Sequence, residues 1–281
     1  MLKCVGKRRR ISVKLCVAAV QIAPKLGNLE ENIVKTCTFI EKAVEQGARL
    51  IVLPELSNSG YNFKNRQQAL ECSEPIPNGP TIKEWEKLAR RHNVWIIGGI
   101  NERYKDKLYN SAVILGPEGY VGKYRKLHLF AKEKFIFQPG NLQLEGIKTG
   151  DFTFGVMICF DWAFPEVARV LTLKGAEIVC HPANLVLPYG QKAMRIRSLE
   201  NHIFTITANR VGKEKDLMFT GQSQITDVKG EVLARGSKNK EEIITAEINI
   251  DEARNKKITP YNDLLKDRRP EYYSLLATSI R

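Results

Sequence analysis

Between Lys14 and Ala208, short apolar runs of strand length alternate with longer segments of helical period. That alternation restricts the chain to folds in which helices cover a sheet. Lys14 to Gln21 reads as a strand, closed by a turn at Pro24 and Gly27. From Asn28 to Gln46, Leu29, Ile33, Cys37, Ile40 and Val44 recur at helical spacing. Asn28 suits the N-cap with Glu31 as its capping-box partner, and Gly47 suits the stop. Leu50-Ile51-Val52-Leu53 is a short buried strand ending at Pro54-Glu55, and a polar loop with Gly60-Tyr61 follows. A second helix opens at Pro80-Thr81 and turns Ile82, Trp85, Leu88 and Ala89 inward. Val94 to Ile100 is a strand, and Leu108 to Leu115 with Tyr120 to Phe130 form a hairpin around Gly116-Pro117 and Gly119.

The pattern continues through a strand from Phe152 to Ile158 that stops at Cys159. The helix expected next carries Pro165 in its first turn and ends at Gly175. Glu177 to Cys180 is a strand, Gly190 to Asn201 a helix and Phe204 to Ala208 a strand, with three more strands between Met218 and Ile248. The last thirty residues, charged and aromatic, read as a docked tail. With no internal repeat, low-complexity linker or composition break, the expectation is one α/β domain over 13–281 with a mixed sheet system, preceded by a basic extension over 1–12.

The net charge of +13 raises the question of an acidic partner. Lys3, Lys7, Arg8, Arg9, Arg10 and Lys14 crowd the first fourteen residues with no acid among them, and the remaining excess is spread among mixed signs. A short leader of this kind reads as a solvated tail, and no nucleic-acid recognition module accompanies it. As a signal peptide it falls short: Leu15-Cys16-Val17-Ala18-Ala19-Val20 is shorter than the roughly 7–15 apolar residues required, and Gln21 closes it without a cleavage site. No apolar run nears the roughly 18 residues of a membrane helix. A cytoplasmic protein without membrane or nucleic-acid partners is expected. Cysteines at 4, 16, 37, 72, 159 and 180 form no Cys-x-x-Cys pair, so zinc and thioredoxin-type sites have no support, and Cys16, Cys37 and Cys180 fit inert core positions.

Three polar residues stand where apolar strands end: Glu55 after Leu53-Pro54, Lys126 in the run from Gly122 to Phe130, and Cys159 after Met157-Ile158. Strand ends are where sites collect in α/β folds. A cysteine entering a helix can gain thiolate character from the helix dipole, and a nearby ammonium adds to it. A carboxylate within reach can take the thiol proton and later activate water. Lys126 with the backbone N–H of Phe160 would supply donors to a developing oxyanion. Taken singly, each residue also has a bland reading: a core cysteine, a solvated strand lysine and a capping glutamate.

Leu53-Pro54-Glu55-Leu56, Tyr124-Arg125-Lys126-Leu127-His128-Leu129-Phe130, and Cys159-Phe160-Asp161 with Phe164-Pro165-Glu166 resemble, in order, the three signature segments of the nitrilase superfamily of carbon–nitrogen hydrolases. Phe137-Gln138-Pro139-Gly140, Arg197-Ser198-Leu199-Glu200-Asn201, Ala208-Asn209-Arg210-Val211-Gly212 and Asp267-Arg268-Arg269-Pro270-Glu271-Tyr272 extend the likeness over roughly residues 13 to 273. The resemblance implies a four-layer α-β-β-α sandwich with two mixed sheets, and at least a homodimer stacked helix layer on helix layer. It implies Glu55 as general base, Lys126 as oxyanion-stabilising cation, Cys159 as nucleophile and Glu133 as a second glutamate that positions substrate or lysine. Outside that family Glu133 reads as a surface carboxylate in Lys132-Glu133-Lys134. His128 is expected to be a hydrogen-bonded structural histidine.

Many dedicated nitrilases carry Trp-Glu after the cysteine, whereas this chain has Phe160-Asp161-Trp162, closer to amidases, carbamoylases and small archaeal-type nitrilases. Tyr61, Phe160, Trp162 and Asn184 are the candidate pocket residues, with packing as their alternative role. Hydrolysis of a small amide or N-carbamoyl substrate, with ammonia released, is the first expectation, and nitrile hydrolysis is the second. A Cys–His protease lacks its local signature around Cys159. A catalytically silent binding partner is opposed by the intact Glu55, Lys126 and Cys159. No metal, nucleotide or flavin motif is present, so no cofactor is expected.

Overall fold

The computed structural model describes residues 12–278, so the basic leader lies, but for its last residue, outside the described residues. Strands β1 (Lys14–Gln21), β2 (Leu50–Val52), β3 (Trp95–Tyr104), β4 (Lys107–Gly116) and β5 (Gly119–Arg125) build one six-stranded sheet with β14 (Glu242–Asn249), in the order β14-β1-β2-β3-β4-β5. β1, β2 and β3 run parallel, while β14 on one side and the hairpin strands β4 and β5 on the other run antiparallel to their neighbours. The second sheet has the order β13-β12-β9-β8-β7-β6, from β6 (Ile147–Lys148), β7 (Thr153–Val156), β8 (Ile178–Ala183), β9 (Phe204–Asn209), β12 (Gln224–Thr226) and β13 (Val232–Arg235). A small hairpin, β10 (Lys213–Glu214) with β11 (Leu217–Met218), stands apart.

Side-chain alternation along each strand divides the apolar residues between layers. In β1, Val17 and Ala19 face the second sheet, while Ala18 and Val20 face helices α1 (Leu29–Glu45) and α3 (Pro80–His92). Leu50 and Val52 share the inter-sheet core with Phe154, Ile178, Cys180 and Ile206, while Ile51 joins the helix side. Beyond the second sheet, Val179 packs with Val167 and Leu171 of α4 (Pro165–Leu173) and Met194 of α5 (Gly190–Asn201). The result is the expected α-β-β-α sandwich of two mixed sheets. Asn28 caps α1 by accepting from the Glu31 N–H at 3.1 Å.

Several local expectations change. The loop after Glu55 is buried from Leu56 to Gly60 and then contains a short helix, α2 (Arg66–Glu71). The strand expected to reach Phe130 ends at Arg125. Beyond it the backbone donors turn to side chains: the Leu127 N–H reaches Tyr124 Oη and the His128 N–H reaches Asp161 Oδ1. A final helix, α6 (Ile250–Arg254), precedes the tail. The tail is docked only at its start, where Lys256 Nζ donates to Asn201 O and His202 O; among the described residues beyond it, Tyr261, Tyr272, Leu275 and Leu276 are exposed.

Candidate active site

Glu55 is set by β2 and by the neighbouring strand. The Leu53 N–H donates to Ile97 O at 2.8 Å, and the Gly99 N–H donates to Pro54 O at 3.0 Å. Gly99 is required at that contact, because a Cβ there would lie 2.5 Å from the Glu55 Cα. Fully buried, Glu55 accepts at Oε1 from Lys126 Nζ at 2.6 Å and from Asn110 Nδ2 at 2.7 Å. Its backbone oxygen accepts from Asn184 Nδ2 at 2.9 Å, and its buried Oε2 has no partner.

Lys126, one residue past β5, points into the sandwich between two carboxylates, with Glu133 Oε1 at 2.8 Å. Burial pulls the ammonium pKa down, but Glu133 and Glu55 more than offset it and hold the group charged. Arg125 faces the other way, onto Glu102 and Asn141. Glu133 sits in a 3₁₀ turn, Ala131–Phe135; it is buried between exposed Lys132 and Lys134. Its Oε1 also accepts from Tyr61 Oη at 2.7 Å. Burial raises the Glu133 pKa, and Lys126 opposes the rise.

Cys159 begins a 3₁₀ turn, Cys159–Ala163, with φ of 40°. A non-glycine residue in the left-handed region is strained and must be held. His181 Nε2 donates to Cys159 O at 2.9 Å, and burial lowers the imidazole pKa to about 4, so the ring is neutral. Asp161 locks the same turn by accepting from the Ile158 N–H, Tyr124 Oη, and both the N–H and Nδ1 of His128. His128, stacked on Phe164 at 3.5 Å, is thereby a structural residue. The expectation of a thiolate is corrected. Burial, followed by the Glu55 charge, pushes the Cys159 thiol well above its ordinary pKa, and Lys126 with the Asn184 N–H only partly counters them. The helix dipole contributes little because the α-helix starts at Pro165, with the 3₁₀ turn between.

Two cavities flank these residues. A tight one of about 10 Å³, room for about one water, is lined by Cys159, Phe160, Trp162 and Asn184. A larger one of about 140 Å³ is lined by Tyr61, Ile136, Phe137 and Leu217, with Glu133, Lys132 and Asp216 as its charged members. Phe130 and Val186 line both. All four candidate pocket residues therefore border a cavity, although Asn184 and Tyr61 also bond to Glu55 and Glu133. Sequence reading passed over Asn110 and Val186, and carried Phe130 only as the end of a signature segment. Asn110 alone left a signal, a polar residue inside the apolar strand Leu108-Tyr109-Asn110-Ser111-Ala112-Val113.

A family model described as carbon–nitrogen hydrolase matches residues 16–257. The chain belongs to that family. A nitrilase of Pyrococcus abyssi (strain GE5 / Orsay) is 50% identical over 257 residues, covering 92% of this chain and 98% of the relative. An N-carbamoylputrescine amidase of Oryza sativa subsp. japonica is 31% identical over 94% of this chain and 95% of its own. The crystal structure of a carbon–nitrogen hydrolase from Helicobacter pylori G27 superposes with a TM-score of 0.84 at 28% identity, covering 95% of this chain and 99% of that one. This carbon–nitrogen hydrolase is a cysteine-dependent enzyme, and it carries a buried cysteine beside an ammonium gripped by two glutamates.

Proposed function

We propose that the enzyme hydrolyses a small amide or N-carbamoyl compound through a thioester on Cys159 and releases ammonia. The observation that carries this reading is the Lys126 ammonium held at 2.6 Å from Glu55 and 2.8 Å from Glu133, with Glu55 Oε2 buried and unpartnered. Glu55 takes the thiol proton as Sγ attacks the carbonyl carbon, forming the C–S bond. The carbonyl oxygen becomes an oxyanion stabilised by Lys126 Nζ and the Phe160 N–H. As the C=O bond re-forms, the C–N bond breaks and the nitrogen leaves as ammonia with the proton from Glu55. Water then attacks the thioester, gives its proton to Glu55 and displaces the thiol, which recovers that proton. Glu133, bonded to Lys126 and Tyr61, holds the lysine and the substrate nitrogen in place.

The cavity lined by Cys159 has room for about one water and the one lined by Glu133 holds about 140 Å³, both below the roughly 300 Å³ at which drug-sized pockets begin, which supports a small substrate. A cytoplasmic, single-domain enzyme is part of the same reading. Among the described residues no helix is long and apolar enough to cross a membrane. Nitrile hydrolysis through a thioimidate is the second reading, favoured by the half-identical relative called a nitrilase. Ammonia release from a panel of amides, ureido acids and nitriles separates the two. Mass spectrometry of a slow substrate should place the adduct on Cys159 and leave Cys16, Cys37, Cys72 and Cys180 unmodified. Lys126→Ala should slow the chemical step by about a hundredfold or more, the cost of one oxyanion donor, with Arg125→Ala milder. Full turnover by Cys159→Ala would end this assignment.

A further inference from the structure

Asn110 lies in the middle of β4, paired with β3 on one side and β5 on the other, and is 1% exposed. Two of its atoms reach the site from that one strand position. Its backbone oxygen accepts the Lys126 N–H at 2.8 Å, and its Nδ2 donates to Glu55 Oε1 at 2.7 Å. The lysine's main chain and the glutamate's carboxylate are thus fixed to the same rigid residue, although they come from separate segments of the chain.

The consequence is an inequality between the two oxygens of Glu55. Each carboxylate oxygen has about two acceptor sites. Oε1 receives two donors, Lys126 Nζ and Asn110 Nδ2, while Oε2 is buried and receives none. The terminal torsion of a glutamate is broad, so one donor alone leaves the carboxylate plane free to swing. Two donors from separate elements on one oxygen fix that plane. We propose that Asn110 is a positioning residue that clamps Glu55 Oε1 so that Oε2 is held ready for the thiol and water protons. The inference rests on the reading of Glu55 as the general base. Asn110 itself touches neither the substrate nor the transferred proton.

Loss of the clamp should disturb the geometry of every proton transfer through Glu55 and leave substrate affinity alone. Asn110→Leu, near in size and without a donor, should lower kcat by about ten- to a hundredfold, the scale of a misplaced catalytic group, with KM within about threefold. Acylation and deacylation should slow by the same factor, because one carboxylate serves both. Inactivation of Cys159 by iodoacetamide should slow as well. Asn110→Ala, which removes the donor without adding a charge, should behave alike and serves if the leucine variant fails to fold. The decisive comparison is a double-mutant cycle on the alkylation rate. Once Glu55→Gln has removed the base, Asn110→Leu should add nothing further. A merely structural asparagine would slow alkylation by the same factor in both backgrounds, and that result would overturn the inference. So would unchanged kcat, or a loss confined to KM. If Glu55→Gln itself turned over normally, the base assignment would fall and take this inference with it. An inactive Glu55→Gln beside a fully active Asn110→Leu would sink the asparagine's role alone.

Discussion

A buried neutral thiol has to lose its proton before it can attack, and Cys159 is such a thiol. With its pKa raised, the protonated form prevails across the neutral range. In Glu55→Gln, where no base remains to take the thiol proton, alkylation of Cys159 by iodoacetamide should therefore keep accelerating with pH from about 6 to 9 without reaching a plateau, in contrast to a cysteine whose pKa is depressed. A stopped-flow or mass-spectrometric rate profile that levels off near neutrality would contradict this. The two carboxylates around Lys126 should separate under substitution. Glu55→Gln should be nearly inactive with every substrate, since base and water activation both fail. Glu133→Gln should leave Cys159 open to alkylation while amide turnover is lost, because geometry is spoiled and the thiol survives. Normal turnover by Glu133→Gln would make that residue a bystander. Glu55, Lys126 and Cys159 could be read from ordered local motifs, and Glu133 only from the family resemblance. The thiol's charge state could not, because the burial that decides it is assembled from distant strands. Asn110 escaped for a related reason: its partner Glu55 lies 55 residues away, and no spacing rule links them.

Strand β8 carries a titrating support for the nucleophile turn. His181 sits in its middle, fully buried, donating to Cys159 O and accepting from Thr207 Oγ1 at 3.1 Å. Its folded pKa of about 4 lies below the ordinary 6.5. Between those values the unfolded chain binds a proton that the folded chain refuses, so stability is full above about pH 6.5 and is lost as the pH falls toward 4. The full difference corresponds to about 3 kcal/mol. His181→Asn should flatten this part of the curve, seen by comparing thermal midpoints of the two proteins from pH 7 to 4. Parallel curves would remove the histidine from the account. Elements with a strong period, such as α1 and α3, were legible almost to the residue. The ends of β5 and β7 were not, because side chains of Tyr124 and Asp161 take over the backbone bonds there. β6, β10 and β11 were missed, being two residues each, too short for any period to register.

At the scale of the whole molecule, alternation showed that helices cover a sheet, but not that there are two sheets. The order β14-β1 joins residues more than two hundred apart, and only tertiary packing fixes that pairing. The layers also differ at their outer surfaces. On the α1 and α3 side, Val34 is the exposed large apolar residue, isolated on its helix. On the α4 and α5 side, Val170 and Leu173 lie three residues apart, as do Ile196 and Leu199, and all four are exposed. Residues three apart share a helix face, so these pairs give each helix an apolar stripe turned to solvent. The tail adds exposed Tyr272, Leu275 and Leu276, which find no seat on their own chain. We propose that a second copy covers the α4–α5 layer, stacking helices on helices, with the tail reaching across. A two-fold contact uses the same patch on both subunits, so one substitution acts twice. Ile196→Glu with Leu199→Glu should shift the enzyme from dimer to monomer in sedimentation velocity, because it buries four carboxylates in the contact. Val34→Glu on the opposite layer should leave the dimer unchanged. A wild-type enzyme that sediments as a monomer, or a dimer broken by Val34→Glu and untouched by the paired change, would place the contact elsewhere.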